Sequence, residues 1–332
     1  MEVDTEPSQP SEPQHVQDLW FEDGSLAIQA GNSLFRVYRG ILAARSPVFQ
    51  HMLSFPQPKD SDSELVEGCP FVRMHDAETE VSDFLKAIFL PEYFLPFPAP
   101  TTFDIVVGCV RLSHKYQVDY LRRRALVHLS SGYCTTLAEW DSEDSHHRFS
   151  KPALGSITVI QLAREVGALW VLPTLFSALS SKFNIVRRAV LEGVVFQGRH
   201  MALSKEDQDL LLRGYQIQTN ECTADILRFL SHPLKIEGCR SPAECAQRRL
   251  EAVAYSREII QAYPSIPLDV WDDEDWKLLR VAGLCAVCLA VLKQTHAEAR
   301  QAVWDKLPLI YALPTWEELE KTKAAAIGDP AA

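Results

Sequence analysis

The chain has 332 residues, 47% of them apolar and 23% charged, an ordinary globular balance whose length predicts roughly two domains. The formal net charge of −11 is laid down unevenly, because no lysine or arginine precedes Arg36 while Glu2, Asp4, Glu6, Glu12, Asp18, Glu22 and Asp23 all do. That acidic start argues against nucleic acid or an anionic membrane as a partner, and it lacks the basic and apolar segments of a secretory signal and the arginines of a mitochondrial presequence.

Residues 1–17, with three prolines and no apolar periodicity, predict a disordered acidic tail. In SLAIQA, Leu26 and Ile28 share one side, and in SLFRVY, Phe35 and Val37 do the same, the period-two pattern of half-buried strands. Gly31-Asn32 reads as the hairpin turn between them. The period then changes: Ile41 and Leu42 are followed by Phe49, Met52 and Leu53, with Ser46-Pro47 supplying a helix cap and first-turn proline between two helical pieces.

The stretch FEDGSLAIQAGNSLFRVYRGILAARSPVFQHML resembles the BTB/POZ domain, whose signature is an Asp-led strand, a second strand ending near a basic residue, and a helix of the form L-x-x-x-S-x-x-F-x-x-M. Leu42, Ser46, Phe49 and Met52 satisfy that spacing, and Tyr38 stands where many members carry histidine. The phrasing looks most like the BTB-domain proteins abundant in mushroom-forming (basidiomycete) fungi. The resemblance implies an interaction domain over residues 18–135, and it puts Asp23 and Arg39 at the positions of a charged pocket found at dimer interfaces of that family. Without it, Asp23 and Arg39 read as a surface pair worth under about 1 kcal/mol.

After a polar loop, PFVRM (70–74) predicts a third strand, and Glu80 to Leu90 a helix with Val81, Phe84, Leu85, Ile88 and Phe89 on one face. PEYFLPFPAP (91–100) predicts a stiff linker whose aromatics lie along the surface. Helices follow over 104–116 and 118–131; Arg122, Arg123 and Arg124 in the second read as a solvated helix face rather than a nucleic-acid patch. Residues 136–153, with the loop histidines His146 and His147, predict a connection.

From 154 to 322 the pattern predicts an all-α domain, with capped helices starting near Ser204, Ser241 and Thr315, and 323–332 a second disordered tail. ITVIQLAREVGALWVLPTLF and VWDKLPLIYALPTWEELE resemble the helical C-terminal region of the same fungal proteins. The longest apolar run, Val281 to Leu292, is too short to span a bilayer and predicts one buried helix. The expected class is α+β, mostly α, and the expected setting a soluble intracellular one, cytoplasm and nucleus not distinguished.

Eight cysteines in a chain with no export signal predict thiols or metal ligands rather than disulfides. Cys285-Ala-Val-Cys288 puts two sulfurs at i and i+3, and a tetrahedral Zn²⁺ needs a second pair, for which Cys239 and Cys245 are the candidates. Cys245 falls in the first turns of a helix, where the dipole favours a thiolate. Cys222 and His232 are substitutes, and the alternative is that Cys285 and Cys288 behave as small hydrophobes in an apolar helix.

No phosphate loop, zincin or nucleophile-elbow motif occurs, which lowers the odds of an enzyme below those of a binding module. The resemblance implies a protein-protein interaction adaptor, and one version of it is a substrate adaptor for a cullin-3 ubiquitin ligase. A BTB scaffold in transcriptional or other complexes without ubiquitin transfer is the rival, and an uncharacterised enzyme the third. Protein partners and a homodimer are expected; nucleic acid and membrane are not.

Overall fold

The computed structural model describes residues 12–55, 65–142, 155–233, 235–262, 268, 271 and 273–328. The fold is α+β and mostly helical. Two compact units divide the chain, the first running to Ser130 and taking in Val195–Arg199, the second beginning at Ser131.

The first unit holds β1 (Gln14–Trp20), β2 (Leu26–Ala30), β3 (Ser33–Val37), α1 (Arg39–Arg45), α2 (Pro47–Ser54), β4 (Leu65–Val66), β5 (Cys69–Met74), α3 (Glu78–Phe89), α4 (Phe103–Lys115) and α5 (Asp119–Ser130). The strands form one mixed sheet in the order β1-β3-β2-β5-β4, with β2 antiparallel to β3 and parallel to β5. The hairpin turns at Gly31, whose φ of +55° suits glycine. Glu78 pins that turn by accepting from the Asn32 backbone N–H at 3.0 Å and from the Ser33 hydroxyl.

Two expectations change here. β2 is buried on its second face too at Ala27, which is as inaccessible as Leu26 and Ile28 on the first, while Gln29 on that second face is half-buried; a small alanine sits in a covered strand without leaving a period-two mark. β1 begins at Gln14, inside the stretch 1–17 expected as a tail, and pairs in parallel with β3; residues 1–11 lie outside the described residues.

The helices α2, α3 and α4 meet at Tyr116, with Phe49 stacked on its ring at 4.7 Å and Phe84 tilted on it at 5.7 Å. Glu80 and Arg111 form a buried ion pair between α3 and α4. The linker expected at 91–100 does not keep all its aromatics on the surface: Phe94 is buried against His128, with ring centroids 4.9 Å apart. Prolines on either side hold the chain in turns there, and a turn can point one large ring inward.

The second unit holds α6 (Leu137–Asp141), α7 (Gly155–Val166), a 3₁₀ turn (Leu169–Val171), α8 (Leu172–Ser181), α9 (Phe183–Glu192), α10 (Lys205–Ile217), a π-helical turn (Gln218–Cys222), α11 (Thr223–Ser231), α12 (Pro242–Ala262), α13 (Asp273–Val281), α14 (Ala286–Ile310) and α15 (Trp316–Ile327). Between α9 and α10 come β6 (Val194–Phe196) and β7 (Arg199–Met201), which pair with each other. The stretch expected as all-α therefore contains a small hairpin, built on a QG turn with positive φ at Gln197 and Gly198.

Further departures are local. α6 falls within the expected connection 136–153, whose remainder from 143, with His146 and His147, lies outside the described residues. α15 continues to Ile327, into the expected tail 323–332, behind a capping box of Thr315 and Glu318. The apolar run from Val281 is not one helix: α13 ends at Val281, which is 81% exposed, and α14 starts at Ala286 after a turn at Gly283 with φ +97°. Glycine takes that conformation without strain, so a turn interrupts the run that composition alone joins. Among the described residues no helix is long and apolar enough to cross a membrane.

Candidate metal centre

Cys239, Cys245, Cys285 and Cys288 lie together, all four sulfurs within 4.8 Å of one another. Four ligands at about 2.3 Å from a tetrahedral ion stand about 3.8 Å apart. The Cys239 and Cys285 sulfurs are 3.8 Å apart, and all four residues are free thiols. The cluster can hold one metal ion.

Three backbone pieces bring it about. Cys239 follows Gly238, whose φ is +78°, in the loop between α11 and α12, and its N–H donates to Ile236 O at 3.4 Å. Cys245 closes the first turn of α12, donating its N–H to Ser241 O at 2.9 Å. Cys285 is the N-cap of α14, with Cys288 one turn on. The C-x-x-C pair thus straddles a helix start, where an N-cap sulfur and the next turn point the same way.

The cluster sits in a core made by Phe229, Leu230, Ile236, Ala252, Trp276, Leu279, Leu284 and Leu292. Cys245 and Cys288 are buried, Cys239 and Cys285 partly exposed. Burial pushes the Cys245 and Cys288 thiols up from their ordinary value. For Cys245 this reverses the expected helix-dipole effect, because loss of hydration outweighs it. The thiolate-favouring position belongs to Cys285 instead: the Cys288 N–H, 3.5 Å from its sulfur, holds that thiol down at about 7.

Of the two residues offered as substitutes, His232 takes no part. His232 is exposed, beside the Ser231 hydroxyl at 3.0 Å and outside the cluster, and the Cys222 side chain lies outside the described residues. One residue was missed. Arg249, four positions after Cys245 on α12, is 6% exposed, donates through Nε to Leu230 O at 2.8 Å, and carries a buried Nη2 without a hydrogen-bond partner. Burial lowers its pKa, and the nearby Cys288 and Cys245 oppose that. The signal available in the sequence was the i, i+4 spacing.

The other expected site residues fall in the first unit. Leu42, Ser46 and Phe49 are interior, Ser46 capping α2 by accepting from Phe49 N–H at 3.0 Å and donating to Tyr116 O; Met52 is 37% exposed. Asp23 and Arg39 do not pair with each other. Asp23 accepts from the Tyr38 hydroxyl at 2.7 Å, and Arg39 donates to Leu53 O, so each charge has its own neighbour. Arg124, of the three arginines in α5, donates to Phe94 O at 2.6 Å. Compared with family models, with curated proteins and with solved structures, the chain finds no match.

Proposed function

We propose that this chain is a protein-protein interaction scaffold: a BTB/POZ-type domain for self-association or partner capture, followed by a helical unit that a structural zinc centre stabilises and that holds a second protein. The observation that carries the interaction reading is the order of elements in the first unit. A hairpin, β2–β3, hands over to α1 and α2, and β5 then returns in parallel beside β2. That run, with Leu42, Ser46 and Phe49 inside it, is what the sequence resemblance implies. Exposed Ile41 on α1, Met52 on α2 and Phe55 just beyond it add apolar surface suited to a partner, cullin-3 in the ligase-adaptor version.

Zinc suits the sulfur cluster by donor type and spacing. Four thiolates favour a soft, tetrahedral, redox-inert ion, and such closed sites stabilise folds rather than catalyse. When bound, the ion supplies folding free energy by joining the 239 loop, α12 and α14. The chain's own part is to place Cys285 at a helix N-terminus, where the Cys288 N–H supports its thiolate, and to surround the rest with apolar side chains.

The test is affinity purification of the full chain with mass spectrometry, run beside light scattering and metal analysis. Recovery of cullin-3 supports the ligase-adaptor version; recovery of other partners without a cullin leaves a scaffold without ubiquitin transfer. A strict monomer removes self-association, and a preparation without zinc removes the metal centre.

A further inference from the structure

Arg249 carries a charge that its protein neighbours leave unbalanced. The residue is 6% exposed, its Nη2 is buried without a hydrogen-bond partner, and among the described residues no carboxylate forms an ion pair with it. A buried guanidinium is costly and does not shed its proton, so an anion must stand close by. Cys245 stands one turn before it on α12, and Cys245 and Cys288 both act on it electrostatically. Four protonated thiols would offer no charge. Four thiolates on a divalent ion carry a net charge of two negatives, in a core of Phe229, Leu230, Leu279 and Leu284 that would otherwise penalise it.

We propose that Arg249 is the counter-cation of the metal-bound tetrathiolate, reducing the buried charge of the centre from two negatives to one and so retaining the ion. The inference rests on the zinc reading above and goes beyond it, because it gives metal retention to a residue that is not a ligand. It acts as a positioning residue acts, through the sulfurs. A reversal of sign follows. With the ion bound, removing the cation weakens the centre; with the ion stripped, the same cation is a buried liability, and removing it relieves the fold.

The experiment uses the full chain as parent, Arg249→Met, Arg249→Gln and Arg249→Lys. Zinc per chain, the rate of zinc transfer to a chromogenic chelator, and thermal midpoints before and after stripping with EDTA are measured. Arg249→Met and Arg249→Gln are expected to release zinc about 10- to 100-fold faster than the parent, with Arg249→Lys nearer the parent. Glutamine separates charge from hydrogen bonding, since it keeps a donor for Leu230 O. The zinc-loaded midpoint should fall in Arg249→Met while the stripped midpoint holds or rises. Parent-like release in both neutral variants, or equal falls in loaded and stripped midpoints, overturns the proposal and leaves Arg249 as a donor to one carbonyl. If Arg249→Met does not fold, release from Arg249→Gln decides by the same criterion. A parent without zinc overturns both readings; a zinc-loaded parent with indifferent variants overturns only this one.

Discussion

Cys239 and Cys285 stand 46 positions apart in the chain and 3.8 Å apart at their sulfurs. A loop and a helix start meet there, and neither is held to the other by regular backbone pairing. Stripping the ion, or the double variant Cys285→Ser/Cys288→Ser, is expected to abolish binding of one zinc per chain and lower the thermal midpoint by at least about 10 °C. Metal analysis and circular dichroism check it. A double variant that keeps both zinc and midpoint would refute the centre.

Ser46 joins α2 to the end of α4 while nearly inaccessible, accepting from Phe49 N–H and donating to Tyr116 O. Ser46→Ala removes a cap and leaves a buried carbonyl short of a donor. The expected loss is about 1–2 kcal/mol in denaturant unfolding, and no measurable change would show that the two hydrogen bonds contribute nothing net.

Between α3 and α4 the buried pair Glu80 and Arg111 sets two charges against each other. Glu80→Gln removes the carboxylate charge that faces the buried Arg111 guanidinium and is expected to cost about 3–5 kcal/mol. The double change Glu80→Met/Arg111→Met should cost clearly less than the sum of its single changes, a coupling that a double-mutant cycle reads directly. Additive losses would mean the pair acts through packing alone.

The cysteine cluster was legible because composition and spacing travel with it: two cysteine pairs in about 50 residues can be seen without knowing how the chain folds. The hairpin at Gly31 and the cap at Ser46 were legible for a similar reason, each being decided by neighbours in sequence. What composition hid was long range or aperiodic. The parallel pairing of β1 with β3 has no local mark. The run from Val281 to Leu292 has no polar break, so Gly283 was the lone sign of the turn that makes Cys285 a cap rather than a mid-helix residue. Asp23 and Arg39 look like partners in sequence, yet Tyr38 and the Leu53 carbonyl reach them first.

Gly214 lies in α10 under the ring of Tyr311, where an added Cβ would stand 2.1 Å from Tyr311 Cε1. The ring cannot swing away easily: its hydroxyl bonds Ser180 Oγ at 3.0 Å and accepts from Gln218, and its face stacks on Phe176 at 5.1 Å. Alanine is the better helix former by about 1 kcal/mol, and overpacking costs about 1–3 kcal/mol. At so close an approach the clash wins, so Gly214→Ala is expected to destabilise the chain by up to about 2 kcal/mol in thermal unfolding. A more stable variant would show that Tyr311 yields.

His296 sits on α14, 4% exposed, edge-on to Phe229 at 4.9 Å and Trp276 at 5.3 Å, with Nε2 lacking a partner. Burial, reinforced by Arg300 and opposed by Asp141, holds its pKa down at about 4 from the ordinary 6.5. The folded chain therefore keeps the ring neutral over a range in which the unfolded chain protonates it. Stability is full above about pH 6.5, falls as pH drops toward 4, and levels below that, a loss of roughly 3 kcal/mol from this group. His296→Phe keeps an aromatic ring and removes the proton site, so the difference in unfolding free energy between parent and variant should shrink or change in the variant's favour by that amount across the window. Other acid-sensitive groups, the sulfur cluster among them, cancel in the difference. A parent and variant with parallel pH profiles would mean that His296 titrates in the folded state much as it does in water.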